Sequence, residues 1–283
     1  MKRWKKGVII ASAIVGIAAI IGGIAIRHVT YLRYPEGKDH IDYRDVPDNI
    51  LLREVYIPSS AEYIARFTFY FCESLRRVDM NEGLHAIGAR AFSGCRKLRE
   101  INLPTTVNFI GAGAFHFCDN LQTVQMPPVL DSIRDHTFSY CFRLREINIP
   151  DSLVYIGISA FDMCNSLTHV ELPATLNYIG ESAFFDCQAL DSITIPKRVR
   201  TLHHMSFGNC LNLQCVTFLG RLDTLNRTAF HHCDQLREIR IPRGTSRHYR
   251  RLLDRSQLPE LKALLVETGV PPVSKNHRKS KKH

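Results

Sequence analysis

Eight cysteines stand 23 residues apart without a break, at Cys72, Cys95, Cys118, Cys141, Cys164, Cys187, Cys210 and Cys233. A phenylalanine precedes each by three residues, from Phe69 to Phe230, and a leucine follows each by three, from Leu75 to Leu236. A fixed period of about 20–50 residues marks a solenoid, in which every repeat is one coil and the stack of coils shares one core.

The stretch from Ile87 to Phe109 shows how a coil is made. Leu98, Ile101 and Leu103 alternate with polar Glu100 and Asn102, the pattern of a short half-buried strand. Pro104 ends it, because proline has no amide hydrogen to give a ladder. Val107 and Ile110 turn inward along a second extended piece, and Gly111 breaks the chain. Ala114-Phe115 then belongs to a compact turn, expected as one turn of α- or 3-10 helix. Coils in register lie about 4.8 Å apart, so the eight full coils predict a rod or arc of roughly 40 Å.

The period continues upstream in degraded form through Leu52, Val55, Ile57, Pro58 and Ile64, with Asn49 in the cysteine position. Downstream it fades after Ile241-Pro242, where His248 falls on the isoleucine column. The solenoid is therefore expected over 49–243, preceded by a linker and N-terminal cap over 28–48. Tyr249, Leu252 and Leu253 recur at helical spacing behind Thr245 or Ser246, and Pro259 interrupts them, which predicts a C-terminal cap over 244–270. The polar segment 271–283 cannot bury a core and is expected to be a disordered tail.

The motif IGxxAFxxCxxLxxIxLP resembles the BspA-type leucine-rich repeat. The resemblance covers about two thirds of the chain and implies an α/β-type leucine-rich-repeat solenoid, strand-rich, with 23-residue coils and short helical turns. It also implies extracellular adhesion or recognition of proteins, including matrix proteins. Three positions depart from the pattern: Arg134 and His203 replace the glycine, and Leu219 replaces the proline. These put local geometry in question and leave the fold intact.

An even number of periodic cysteines in an exported chain also suggests disulfides. In an in-register stack, neighbouring thiols point the same way about one coil apart, whereas a disulfide needs Cβ atoms at about 3.5–4.5 Å and a torsion near 90°. The eight are expected to be reduced, buried thiols packed as small hydrophobes. Serine in their place would bury a hydroxyl that needs a partner. No CxxC pair occurs, so zinc is not expected. The ninth cysteine, Cys215, falls on the outward side of its strand and is expected to be the exposed thiol.

Lys2, Arg3, Lys5 and Lys6 precede an uncharged run from Val8 to Ile26. As a helix it would measure about 28 Å, close to a bilayer core. Segment 1–27 is thus expected to be a transmembrane anchor, inserted through residues 8–26 with the repeats extracytoplasmic, in the periplasm or at the cell surface. The alternative is a signal peptide, cleaved near Ala25 to leave a secreted protein. Each end of the chain carries +5 of the net +10, leaving the stretch between them balanced. An extended phosphate-tracking surface, and with it nucleic acid as a partner, is not expected.

Nothing points to catalysis. GxSxG, HExxH and phosphate-cradling glycine loops are absent, and GAGAF at Gly111 is part of the repeat. The pairs His203-His204 and His231-His232 lie in different phases of the coil, so no metal and no cofactor are expected. The candidate binding surface is the outward side of the strands, where a solenoid offers an extended face. Tyr56, Asp79, Asn102, Gln125, Asn148, Glu171 and Arg240 stand in one column and His169 in the next. These columns are nearly free of aromatics, which makes interface hot-spot chemistry thin there. The expected function is recognition of a protein or extracellular-matrix macromolecule; the alternative is an envelope scaffold without a dedicated ligand.

Overall fold

A computed structural model describes residues 30–46 and 51–269. Most coils carry two short strands, and within each ladder a strand pairs in parallel with its counterpart 23 residues on. The first ladder runs Tyr31↔Glu54↔Arg77, Glu100↔Thr123↔Glu146 and Ser192↔Cys215↔Glu238. The second runs His40↔Tyr63↔Ala86↔Phe109, Ser132↔Tyr155↔Tyr178 and Thr201↔Thr224. Period-two alternation buries Ile101, Val124 and Val216 and leaves their neighbours toward solvent.

The core is a set of columns, one residue per coil. Phe69, Phe92, Phe115, Phe138, Phe161, Phe184, Phe207 and Phe230 stack ring on ring, with centroids 5.1 to 5.9 Å apart. Beside them the periodic cysteines are free thiols and buried, while Cys215 is partly exposed.

The expected helical turn is absent from the repeats. The described helices lie toward the ends of the chain, at Tyr43–Asp45, Ser246–Arg255 (α1) and Pro259–Leu264. Within a coil the chain instead makes tight turns, as where the Ala114 and Cys118 amides donate to the Gly111 and Phe115 carbonyls. Left-handed residues on either side of the phenylalanine stop helical propagation. One column is Phe67, Arg90, Gly113, His136, Ser159, Ser182 and Met205; the other is Phe71, Gly94, Phe117, Tyr140, Met163, Asp186, Asn209 and His232. The architecture is a strand-and-turn parallel solenoid, not a strand-and-helix one.

The glycine column lies where the second ladder passes from coil to coil. A Cβ on Gly111 would stand 2.3 Å from the Ala89 nitrogen, and one on Gly180 would stand 2.6 Å from the Gly157 carbonyl. The glycines let the coils close, so that the Gly88, Gly111, Gly157 and Gly180 amides reach carbonyls in the coil before. Ala65 and Asn226, in the same column, make the bond although they carry a Cβ, whereas among the described residues the Arg134 and His203 amides make no such bond. The ladder is interrupted at these coils, between Phe109–Ile110 and Ser132–Ile133 and again between Tyr178–Ile179 and Thr201–Leu202.

Both ends extend past the expected boundaries. Within 28–48, Tyr31–Arg33 and His40–Ile41 stand in 23-residue register with the next coil, so the described part of this segment adds a terminal coil to the stack. At the other end, Leu265–Thr268 adds a further parallel strand on Glu238–Pro242, with Ile239 facing Leu265. Helix α1 covers the last coil by side chains. His248 Nε2 donates to the Leu222 carbonyl at 2.6 Å, the Tyr249 hydroxyl to Gly220 at 2.6 Å, and the Ser256 hydroxyl to Leu225 at 2.7 Å. Thr245 is the cap position of α1, without a side-chain capping bond. The apolar run Val8–Ile26, Asn49 and the basic tail 271–283 lie outside the described residues; among the described residues no helix is long and apolar enough to cross a membrane.

Candidate functional site

The nominated strand face is a continuous outward surface, and most of its side chains are already engaged. Arg77 bonds Asp79 at 2.7 Å, Arg240 bonds Glu238 at 3.0 and 2.9 Å, and His169 lies 3.5 Å from Glu171. These are surface pairs two residues apart in the chain, worth about 0–1 kcal/mol each. The Tyr56 ring lies under the Arg33 guanidinium at 4.4 Å. Asn148 brackets the main chain of Met126, accepting from its amide at 2.8 Å and donating to its carbonyl at 3.3 Å. Cys215 Sγ lies 4.0 Å from Thr217 Oγ1.

Four of the nominated residues come together. Asn102, Gln125, Asn148 and His169, from consecutive coils, line a shallow open hollow of about 520 Å³ with Arg145 and Glu146. Among the described residues, the side-chain amides of Asn102 and Gln125 make no hydrogen bond, so their donors and acceptors face the hollow unspent. Beside it the first ladder opens. Thr168–Leu172 forms no strand, and among the described residues its main-chain groups bond to neither neighbouring coil. Tyr56, Asp79 and Arg240 lie in other coils and do not join this hollow.

The turn side carries what the strand face lacks. Phe67, Tyr70 and Phe71 are each about two-fifths exposed and pack edge to face at 5.3 and 4.6 Å. The Phe71 ring lies over Gly94, where a Cβ would come within 3.0 Å of it. Further along, Phe117 meets Tyr140 at 4.6 Å, Tyr140 meets Phe142 at 5.8 Å, and His116 packs on Phe117 at 4.0 Å. Burial, then His136 and Arg90, lower the His116 pKa to about 4. Aromatic anchors of this kind dominate interfaces. The sequence signal for this surface is the aromatic directly before the cysteine, at Phe71, Phe117 and Tyr140.

Metal chemistry has little to build on. His204 Nδ1 pairs with the Thr228 hydroxyl at 2.8 Å, and His203 packs on Tyr178 at 5.1 Å. Among the described residues no group of three or more His, Cys, Asp or Glu side chains is placed to hold an ion.

The solenoid has solved counterparts. A leucine rich cell surface protein from Faecalibacterium prausnitzii A2-165 superposes with a TM-score of 0.51 at 21% identity, covering 86% of this chain and 91% of that one. The leucine rich repeat protein of T. pallidum is 27% identical over 79% of this chain and 89% of its own, with a TM-score of 0.47. The pneumococcal vaccine antigen PcpA gives 16% identity, 87% and 80% coverage, and a TM-score of 0.44. No curated protein matches. The model of the BspA type leucine rich repeat region, in six copies, matches residues 48–168 and 154–263. With the cysteine, phenylalanine and glycine columns packed coil on coil across that span, the chain belongs to the BspA type leucine rich repeat family.

Proposed function

We propose that this chain is an extracytoplasmic recognition protein that binds a protein or matrix macromolecule through its strand face and performs no catalysis. The family supports recognition of macromolecules in general. The observation that carries the finer reading is the hollow lined by Asn102 and Gln125, whose side-chain amides make no hydrogen bond among the described residues. Polar donors left open on a rigid scaffold supply orientation-specific contacts, and the adjoining open ladder leaves the surface free to adjust.

The test is capture from envelope and host-matrix extracts by the immobilised full-length protein. The double variant Asn102→Arg/Gln125→Arg is the comparison, and circular dichroism checks its fold. A partner retained by the parent and lost by the variant supports the strand face. Equal capture by both moves the interface elsewhere, with the aromatic turn side as the next surface. Absence of any enriched partner favours the scaffold reading.

The location rests on the N-terminal segment. In native cells the protein is expected to stay with membranes through high-salt and carbonate washes, with the repeats open to protease added from outside. A soluble mature protein beginning at Ile26 would instead identify the segment as a cleaved signal.

A further inference from the structure

Helix α1 carries Arg247, Arg251 and Arg255 at four-residue intervals, on one face and about 6 Å apart along the axis. Together with Arg221 of the preceding coil they line an open cleft of about 490 Å³, beside His248 and over Leu252. Among the described residues none of these four guanidiniums meets a carboxylate. Asp223, the acid in the lining, is held by Arg200 through two bonds of 2.9 and 2.8 Å. Asp254 pairs with Lys262, and Glu267 accepts from Ser246.

The helix dipole favours Arg255 in the last turn but not the arginines before it. The first turn of α1 holds no acidic residue, and Arg247 stands there, where the helix dipole disfavours a cation. The contacts that seat the helix come from His248, Tyr249 and Ser256 instead. A helix that breaks an electrostatic rule without a structural return points to a ligand.

We propose that this cleft binds an anionic saccharide, with a sulfate or phosphate group held between the α1 arginines and Arg221. Guanidinium forks from two elements match the geometry of a tetrahedral oxyanion and grip it bidentately. The Asp223 carboxylate keeps lone pairs that its bonds to Arg200 do not use, and these accept sugar hydroxyls. The volume suits one or two sugar rings, and Leu252 gives an apolar floor. Single-stranded nucleic acid fits poorly: it needs aromatic platforms for its bases, and His248, the cleft's one ring, is tied to the Leu222 carbonyl. A bilayer also fits poorly, since Leu252 is only 5% exposed and cannot insert.

Full-length protein is titrated calorimetrically with a heparin-derived tetrasaccharide and with mannose 6-phosphate, which separate sulfate from phosphate. Unsulfated tetrasaccharide and mannose are the blanks. One of the two anionic sugars is expected to bind, its blank is not, and Arg247→Gln/Arg251→Gln is expected to weaken binding by about tenfold or more. Lys279→Gln/Lys281→Gln in the tail should leave the affinity unchanged. Circular dichroism confirms that both variants fold. Three results would overturn the proposal: no binding of either sugar, equal binding by the arginine variant, or tighter binding to oligo-dT or phosphatidylglycerol vesicles.

Discussion

The Cys118 thiol donates to the carbonyl oxygen of Phe92, 3.3 Å away and 26 residues earlier. The same oxygen accepts the amide of Cys95 in its own coil, at 3.2 Å. The relation repeats from Cys95 to Cys233 with distances of 3.0 to 3.3 Å, so each thiol ties its coil to the one before. Cysteine here is therefore more than a small hydrophobe: it spends a weak donor on a carbonyl facing the next coil.

Two outcomes follow from that ladder. Burial pushes the Cys72 thiol up to about 11 and the Cys95, Cys118 and Cys141 thiols further, so reactive thiolate is scarce at neutral pH. Mass-spectrometric counting of alkylated thiols should find one label on the folded protein, at Cys215, and nine after denaturation without reductant. A count that stays at one after denaturation would mean that the periodic cysteines are bridged. Cys141→Ala should cost about 1–2 kcal/mol in chemical denaturation, from lost burial and a small cavity. Cys141→Ser should cost no more than that, because the Phe115 carbonyl offers the buried hydroxyl the partner it needs. The partner that a buried hydroxyl needs is thus already in place at each thiol from Cys95 onward.

At Gly111 the coil before leaves no room for a side chain. Gly111→Ala would drive a methyl into the Ala89 main chain, so it should destabilise by about 1–3 kcal/mol. Hydrogen exchange should show where. The Gly111 amide, bonded to the Ile87 carbonyl at 2.8 Å, should lose protection, while amides of distant coils keep theirs.

Backbone strain sits at the left-handed positions. Ser182 has φ 51° although it is not glycine. A side chain there costs about 1–2 kcal/mol, part of which is offset by the entropy of ordering glycine. Ser182→Gly should stabilise by about 0.5–1 kcal/mol, and Ser182→Val should destabilise by about 1–2 kcal/mol, because a β-branched side chain tolerates this region least. Thermal unfolding of the two variants beside the parent decides the sign.

The columns that repeat once per coil were legible in the sequence, because each residue meets its own counterpart across the stack. The phenylalanines, thiols and inward Ile101 or Val124 needed only the period. The turn conformation did not follow in the same way. A left-handed position announces itself when it holds Gly94, Gly113 or Asn209, and stays hidden when it holds Phe71, Met163 or Ser182. The outward side of the strands followed from the alternation, but the pairing of Arg77 with Asp79, or of Asn148 with the Met126 main chain, depends on side-chain direction that spacing does not carry. The arginine stripe of α1 vanished in a charge sum that came to zero between the termini. Its four-residue spacing was visible, and only the packing of α1 against Arg221 turned it into a cleft.

Two half-buried groups should bend the pH dependence of stability in opposite directions. His116 falls from its ordinary 6.5 to about 4, chiefly by burial and further by His136 and Arg90. Between those values the unfolded chain holds more protons at this site, so its contribution is full above pH 6.5 and is lost as pH falls toward 4. Asp162 rises from 3.8 to about 6, chiefly by burial and further by Asp186, against the lowering effect of its Ser139 hydrogen bond. Here the folded chain holds the extra proton, so the contribution is full below pH 3.8 and is lost as pH climbs through 6. Asp162→Asn removes only the second effect. Its melting temperature relative to the parent should therefore rise between pH 4 and pH 6 and then level off. His116→Gln should show a relative melting temperature that falls as pH rises from 4 to 6.5. Parallel melting curves for the parent and Asp162→Asn across that range would show that the carboxyl is not held protonated by its surroundings.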